Sequence, residues 1–584
     1  MHMLRGKGRG PEFALFWPVV LLSVLPVIDF LEKKLMRRRS LASRTTRSTR
    51  ATHRSRRVLA AALTALALPL IPLAANAKPL TVCTEASPEG FDVVRYNSLT
   101  TTNASADPVF NRLVEFDASQ AKVVPSLATK WEVTPDGLTY TFTLRPNVSF
   151  HSNDLFKPTR AFNADDVVFT FDRMLNDNAP WHKLTPSGFP HAQSLSLGKL
   201  IKSVQKVDDN TVRFTLSEPD AVFLSMLSMG FASIYSAEYA DKLVAANKTD
   251  DLNARPIGTG PFVFRSYQKD SVVRYDANKS YFGGAPASER LIYTIVPDPA
   301  VRAQKVKVGE CQIALSPKPL DVQAARGDKA LKVVETPAFM TAFVAINTQH
   351  KPLNDVRVRQ ALNLAFDKPS YVKQVFEGTA TPAVNVYPPN TWSYAKNVAD
   401  YPHNIDRAKK LLADAGFPQG FETTIWTRPA GSLLNPNPRV GAEMLQSDLA
   451  KIGVKAQIKT VEWGELIRRG KAGEHDLLFM GWSGDNGDPD NFLTPQFSCA
   501  AVTSGTNFAR FCDASLDKLI SDGKRTHDIA ARTAKYQAAQ KTIKDDALWI
   551  PLAHPIAAVI TRTDVSGYQV SPFGRQDFST VKVK

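Results

Sequence analysis

Cysteine is scarce in this sequence, four in 584 residues, and Cys83, Cys311, Cys499 and Cys512 form no C-x-x-C and have no histidine nearby at metal-ligand spacing. Zinc-site and dithiol redox chemistry are thereby excluded. Also missing are an H-E-x-x-H helix, a P-loop and a convincing Ser/His/Asp set, so catalysis has no candidate residue. Gly258-Thr259-Gly260 lacks the third glycine of a dinucleotide fingerprint, and with Pro261 following it reads as a tight turn. The segment Gly481-Trp482-Ser483-Gly484-Asp485-Asn486-Gly487-Asp488-Pro489-Asp490-Asn491 fails the calcium-loop pattern in every register. It is not a nucleophile elbow either, because Gly484 follows Ser483 directly.

A basic excess is absent from most of the chain. The net charge of +16 invites a nucleic-acid reading, but residues 1–77 hold 14 Lys and Arg against 3 Asp and Glu. The other 507 residues hold 58 against 53, a net of +5, which removes the support for nucleic-acid binding.

The basic segment ends as a secretory signal does. Arg54, Arg56 and Arg57 precede an uncharged run over residues 58–77, which closes on Ala75-Asn76-Ala77, a small-x-small site with cleavage expected before Lys78. Pro69, Pro72 and that ending argue against a membrane span. No cysteine follows the site directly, so a lipid anchor is not indicated and a soluble exported product is expected. Met36, followed by Arg37, Arg38 and Arg39, makes a better signal-peptide start than Met1, and translation is expected to begin there. Four cysteines in an exported chain favour disulfides. The separation of Cys499 and Cys512 suits a local loop, worth about 3 kcal/mol by chain entropy. That leaves Cys83 with Cys311.

Beyond Lys78 the first half is strand-rich. Residues 139–144 and 211–216 alternate polar and apolar, each after a turn signal, and are expected as half-buried strands. The second half changes period. Asn404 caps an expected helix over 406–415 that stops at Gly416; a strand at 421–427, a helix at 439–452, a strand at 454–461, a helix at 464–471 and a strand at 476–482 follow. Such alternation marks βαβ units and a parallel sheet. Loops holding residues 428–434, Trp463 and Asp485 leave the carboxyl ends of these strands, where open parallel sheets bind ligands. Asp485 is then a carboxylate poised at the sheet edge for a cationic group, between the aromatic walls of Trp463 and Trp482, with Ser483 beside it and Gly484 and Gly487 allowing a ligand backbone to approach. The bland alternative for this segment is an Asx-rich turn that starts the next helix.

Several stretches together resemble one family. They are the run from Pro125 through Trp131 to Asp136-Gly137 with Tyr140, Phe142 and Arg145; Asn163-Ala164-Asp165-Asp166-Val167-Val168-Phe169; Gly258 to Phe262; Val358-Arg359-Gln360-Ala361-Leu362; Glu462-Trp463-Gly464-Glu465; and Gly481 to Asn491. Over residues 78–584 the chain resembles the extracytoplasmic solute-binding proteins of family 5, the peptide-binding proteins of ABC importers, and within them the dipeptide binders. The resemblance implies an α/β, two-lobed periplasmic-binding-protein fold of type II with an extra subdomain. Residues 78–338 and 556–584 would form lobe I and 339–555 lobe II, with hinges near 339–347 and 549–558. It implies a monomer without catalysis or cofactor, a small peptide ligand, and a transient partner in an inner-membrane permease. It also implies that Asp485 pairs with the ligand ammonium, that Trp463 lines a side-chain pocket, and that residues 97–100, including Ser98 and Thr100, form an extended segment bonding the ligand backbone. In one respect the chain departs from the family. The arginine that clamps the ligand carboxylate is replaced by Ser432, which cannot form a two-bond fork; Arg428, in the same loop, is the substitute at hand. A longer peptide, haem or glutathione would fit that departure too. A secreted hydrolase lacks its nucleophile set, and a chaperone-like role has little support.

Overall fold

The computed structural model describes residues 79–584 apart from Asn97, Gln120, Ala121, Ala430 and Gly505. The expected signal run, its cleavage site before Lys78 and the Met36 start lie outside the described residues, as does Asn97. Among the described residues no helix is long and apolar enough to cross a membrane.

Strand β1 (Leu80–Thr84) and helix α1 (Leu99–Val109) open the first half. The two alternating segments form β2 (Thr139–Leu144) and β3 (Thr211–Leu216), as their period of two requires. They pair antiparallel at the centre of a four-stranded sheet, flanked by Ala128–Val133 and Ile201–Asp208. Tyr140, Phe142 and Leu144 from β2 join Val212, Phe214 and Leu216 from β3 in one core, and the threonines of β2 are half-buried on the opposite face.

The second half runs β4 (Met340–Ile346), α2 (Ile405–Asp414), β5 (Glu422–Thr427), α3 (Pro438–Ala450), β6 (Lys455–Thr460), α4 (Trp463–Ala472), β7 (Leu477–Ser483), α5 (Ala514–Arg525), α6 (Ile529–Asp545) and β8 (Trp549–Arg562). The expected helices and strands of residues 404–483 are present with their ends shifted by a residue or two. Asn404 caps α2, its side chain accepting from the Arg407 N–H at 2.9 Å, and Gly416 supplies the left-handed stop at φ +93°. β5 lies parallel to both β6 and β7, whereas β7 is antiparallel to β4. Every residue of β4 is buried. Ala342, Val344 and Ile346 enter one core, and Phe343 and Ala345 enter another on the opposite face, which is why its sequence is apolar throughout rather than alternating.

Strand β8 joins the two halves. Trp549 to Ala553 pair with β4, whereas Ile556 to Arg562 pair with Leu331–Pro337. The chain crosses a second time at Ala338 and Phe339, beside β8, where the Ala338 N–H donates to the Pro555 carbonyl at 3.0 Å. Both cysteine pairs are joined as expected, Cys499 to Cys512 from their short separation and Cys83 to Cys311 by elimination. Phe343 is fully buried and stacks on Trp549, ring centroids 3.4 Å apart. Phe343→Ala is expected to cost about 3–5 kcal/mol, measured by urea unfolding; a cost under about 1 kcal/mol would mean that this core collapses around the missing ring.

Candidate functional site

The carboxyl ends of β5, β6 and β7 share one edge, so the loops that follow bring Arg428, Trp463 and Asp485 to the same side of the sheet. Trp463 opens helix α4 and keeps 40% of its surface exposed, an uncommon state for so large an apolar ring. The Arg428 guanidinium lies over it, 4.6 Å from the ring centroid. Half-burial pulls the Arg428 pKa down, and nearby Glu462 opposes that shift.

The loop after β7 is built from successive Asx turns. Asn486 Oδ1 accepts from the Asp488 N–H at 2.9 Å, and Asp488 Oδ1 accepts from the Asp490 N–H at 3.0 Å, leading into the helix Asp490–Phe497. The bland reading therefore holds for residues 486–490. Asp488 is also held by a bidentate buried ion pair, both of its oxygens 2.9 Å from Arg532 of α6. Asp490 is buried, and desolvation pushes its pKa up to about 6.

Asp485 stands apart from this turn network. Its backbone N–H donates to Asn491 Oδ1 at 3.2 Å, and the same oxygen accepts from Trp482 Nε1 at 3.1 Å, so Asn491 ties Asp485 to the half-buried Trp482. Asp485 has the accessible surface of an exposed residue, yet protein surrounds it at longer range and raises its pKa to about 6 by desolvation, against a downward pull from Asn491. These observations agree for a carboxylate that opens into a recess. No cation pairs with it among the described residues.

Two expectations need correction. The segment expected to be extended turns helical at Leu99, where α1 begins, so Thr100 is helical, and Ser98 keeps an extended backbone and caps the helix by accepting from the Thr101 N–H at 3.3 Å. The Ser98 hydroxyl also donates to Glu89 at 2.6 Å, which fixes it locally. Gly484 and Gly487 do not make room for a ligand. A Cβ on Gly484 would stand 2.1 Å from the Phe339 ring, and one on Gly487 would stand 1.7 Å from the Phe116 ring. Ser432 closes a turn: its N–H donates to the Asn435 carbonyl at 2.9 Å, and its Oγ accepts from the Asn435 N–H at 3.2 Å. Ser483, the last residue of β7, pairs with Met340 and is half-buried.

Sequence reasoning did not find Arg532, which lies 44 residues from Asp488, nor Asn491 as the link between Trp482 and Asp485. The D-x-D spacing of Asp488 and Asp490 was visible, but its partner on another helix carried no local signal. A cavity of about 420 Å³ opens elsewhere, lined by Asp107, Arg112, Glu115, Tyr281, Phe573 and Arg575. Its lining approaches the Asp485 loop through Phe116, which stands over Gly487, and through Phe573, which packs on Phe339 beside Gly484.

Two halves sharing one long strand, with charged and aromatic groups at a parallel sheet edge, define the class of two-lobed binding proteins. Residues 122–504 match the family described as bacterial extracellular solute-binding proteins, family 5 middle, and the chain belongs to that family. It is 64% identical over 526 residues to the probable di/tripeptide-binding protein 5 of Pseudomonas aeruginosa strain UCBPP-PA14, covering 89% of this chain and 99% of that one. Among solved structures it is similar to HbpA2 from Haemophilus parasuis, with a TM-score of 0.83, 42% identity, and coverage of 87% of this chain and 100% of that one. It is also similar to a dipeptide-binding protein from Pseudoalteromonas sp. SM9913 in complex with Met-Leu, with a TM-score of 0.75, 34% identity, and the same coverage. The family and these relatives are binding proteins rather than enzymes.

Because Arg532 is the ion-pair partner of buried Asp488, Arg532→Met is expected to destabilise the protein by about 3–5 kcal/mol. Arg532→Met with Asp488→Leu is expected to recover most of that loss in urea unfolding. Equal losses in the single and double variants would show that the pair does not hold this loop.

Proposed function

We propose that this chain is the periplasmic substrate-binding component of an ABC importer for dipeptides and tripeptides. It acts as a monomer, takes its ligand between two lobes and delivers it to a permease in the inner membrane. Lobe I comprises residues 78–338 and 556–584, lobe II comprises residues 339–555, and the two crossings beside β8 are the hinge. The observation that carries this reading is Asp485, a carboxylate in a recess with no cationic partner, raised to a pKa of about 6. Such a group gains most from a ligand that brings its own cation, and a peptide's α-ammonium is one. Trp463 and Trp482 supply apolar walls at little cost in conformational entropy. Closure follows because a ligand held from both lobes stabilises the closed form over the open one. The di/tripeptide-binding relative and the Met-Leu complex support a peptide cargo.

Asp485→Asn is expected to weaken peptide binding by about 2–5 kcal/mol in isothermal titration calorimetry, the range for truncating one side of a buried charge pair. N-acetylation of the peptide is expected to cost a similar amount with the unaltered protein. Wild-type affinity in the Asn variant would refute the role.

The pH dependence has a definite sign. The ligand ammonium binds the ionised carboxylate, so protonation of Asp485 competes with it. Affinity is expected to be flat between about pH 6 and the pKa of the peptide ammonium, about 8, and to fall by about tenfold per unit below pH 6, and the Asn variant should lose the acid-side dependence. An unchanged profile in the variant would assign the titration to another group.

A further inference from the structure

The loop after β3 meets the end of α5, although neither element takes part in the two chain crossings. The Ala221 N–H donates to the Lys524 carbonyl at 2.8 Å. Beside that bond the Asp220 carboxylate stands 3.3 Å from the Lys524 ammonium, and Glu218 pairs with Arg525 at 2.9 Å. The turn before β2 comes against the connection from α5 to α6, so closely that a Cβ on Gly137 would stand 2.5 Å from His527 Nε2. In each of these contacts one partner comes from residues 78–338 and the other from residues 339–555. Asp220 is the unusual member. Its side chain is only 2% exposed, and its own half of the chain gives it the Val222 N–H, accepted at 2.8 Å. Among the described residues its one ion pair is with Lys524. A carboxylate out of water is stable only beside a cation and hydrogen-bond donors, so one half buries a charge that the other half neutralises. The charge of Asp490 acts on Lys524 as well, and Asp490 belongs to the loop that carries Asp485.

We infer that Asp220 with Lys524, and Glu218 with Arg525, form a latch between the lobes that strengthens peptide binding without touching the peptide. This rests on the reading of the chain as two lobes that close on a peptide. The paired residues lie on elements other than the crossings, so a swing that parts the lobes separates them and returns each charge to water. The apparent affinity of a ligand scales with how readily the binding-competent form is reached, so a contact made only in the closed form adds to that affinity. Asp220 and Lys524 carry most of the effect. Glu218 and Arg525 are about half exposed, and water screens their attraction.

The test measures Met-Leu binding by calorimetry on the full exported protein, together with thermal unfolding of the ligand-free form. Asp220→Asn keeps an acceptor for the Val222 N–H and removes the charge. It is expected to weaken Met-Leu binding by about tenfold while ligand-free unfolding stays unchanged, because the latch is open in that form. Lys524→Met added to Asp220→Asn is expected to cost little more, as coupled partners do. Arg525→Glu is expected to weaken binding by about threefold, and Glu218→Arg added to it to restore the affinity by reversing the pair. Unchanged affinity in Asp220→Asn, or a lower unfolding temperature of its ligand-free form, would make the pair a permanent contact of the fold. Either result overturns the latch and leaves the peptide reading intact. A reversed pair that fails to recover the loss would remove Glu218 and Arg525 from the latch. Failure of Met-Leu to bind the unaltered protein would overturn the peptide reading, and the latch with it.

Discussion

Asp488 and Arg532 form a bidentate ion pair shut off from solvent, and the loop that carries Asp485 depends on it. Two charges removed from water are stable only where geometry and further hydrogen bonds satisfy them, and here those conditions are met. Arg532 also donates to the Gly523 carbonyl and to the Tyr536 hydroxyl, and Asp488 accepts the Asp490 N–H. The loop is thereby fixed to helices α5 and α6 rather than left to its own turns. Asp485 precedes this anchored stretch by three positions and has no such partner. A carboxylate without a cationic partner beside one so fully paired is the contrast on which the functional reading rests.

The sheet supplies the other constraint. Because β5, β6 and β7 are parallel, their carboxyl ends fall on one edge, and three loops distant in sequence converge there. Because β4 is buried on both faces, the edge is backed by two cores and cannot move independently of them. The chain crosses between the halves at Ala338 and Phe339 and along β8. The two crossings are adjacent, tied by the Ala338 to Pro555 hydrogen bond, which is the arrangement the proposed hinge requires.

Much of this was legible in the sequence because the local chemistry agreed with the fold. The alternation in 139–144, the Asn404 cap and the Gly416 stop each had one reading, and each formed as read. The convergence of Arg428, Trp463 and Asp485 followed from strand and helix order alone. What was not legible depended on long-range packing. The rings over Gly484 and Gly487 come from Phe339 and Phe116, far along the chain, so glycines that looked like ligand clearance are clearance for aromatics. Thr100 was placed by the family resemblance in an extended segment, yet Ser98 caps a helix that begins at Leu99. The Arg532 partner of Asp488 had no signature at its own position.

The account stands on a peptide being the group that fills the recess beside Asp485. Native mass spectrometry of the protein purified without refolding tests this most directly, because a binding protein that encloses its ligand often retains it. The account predicts added mass corresponding to peptides of two or three residues with both termini free. Added mass from a haem, a glutathione or another non-peptide solute would contradict it.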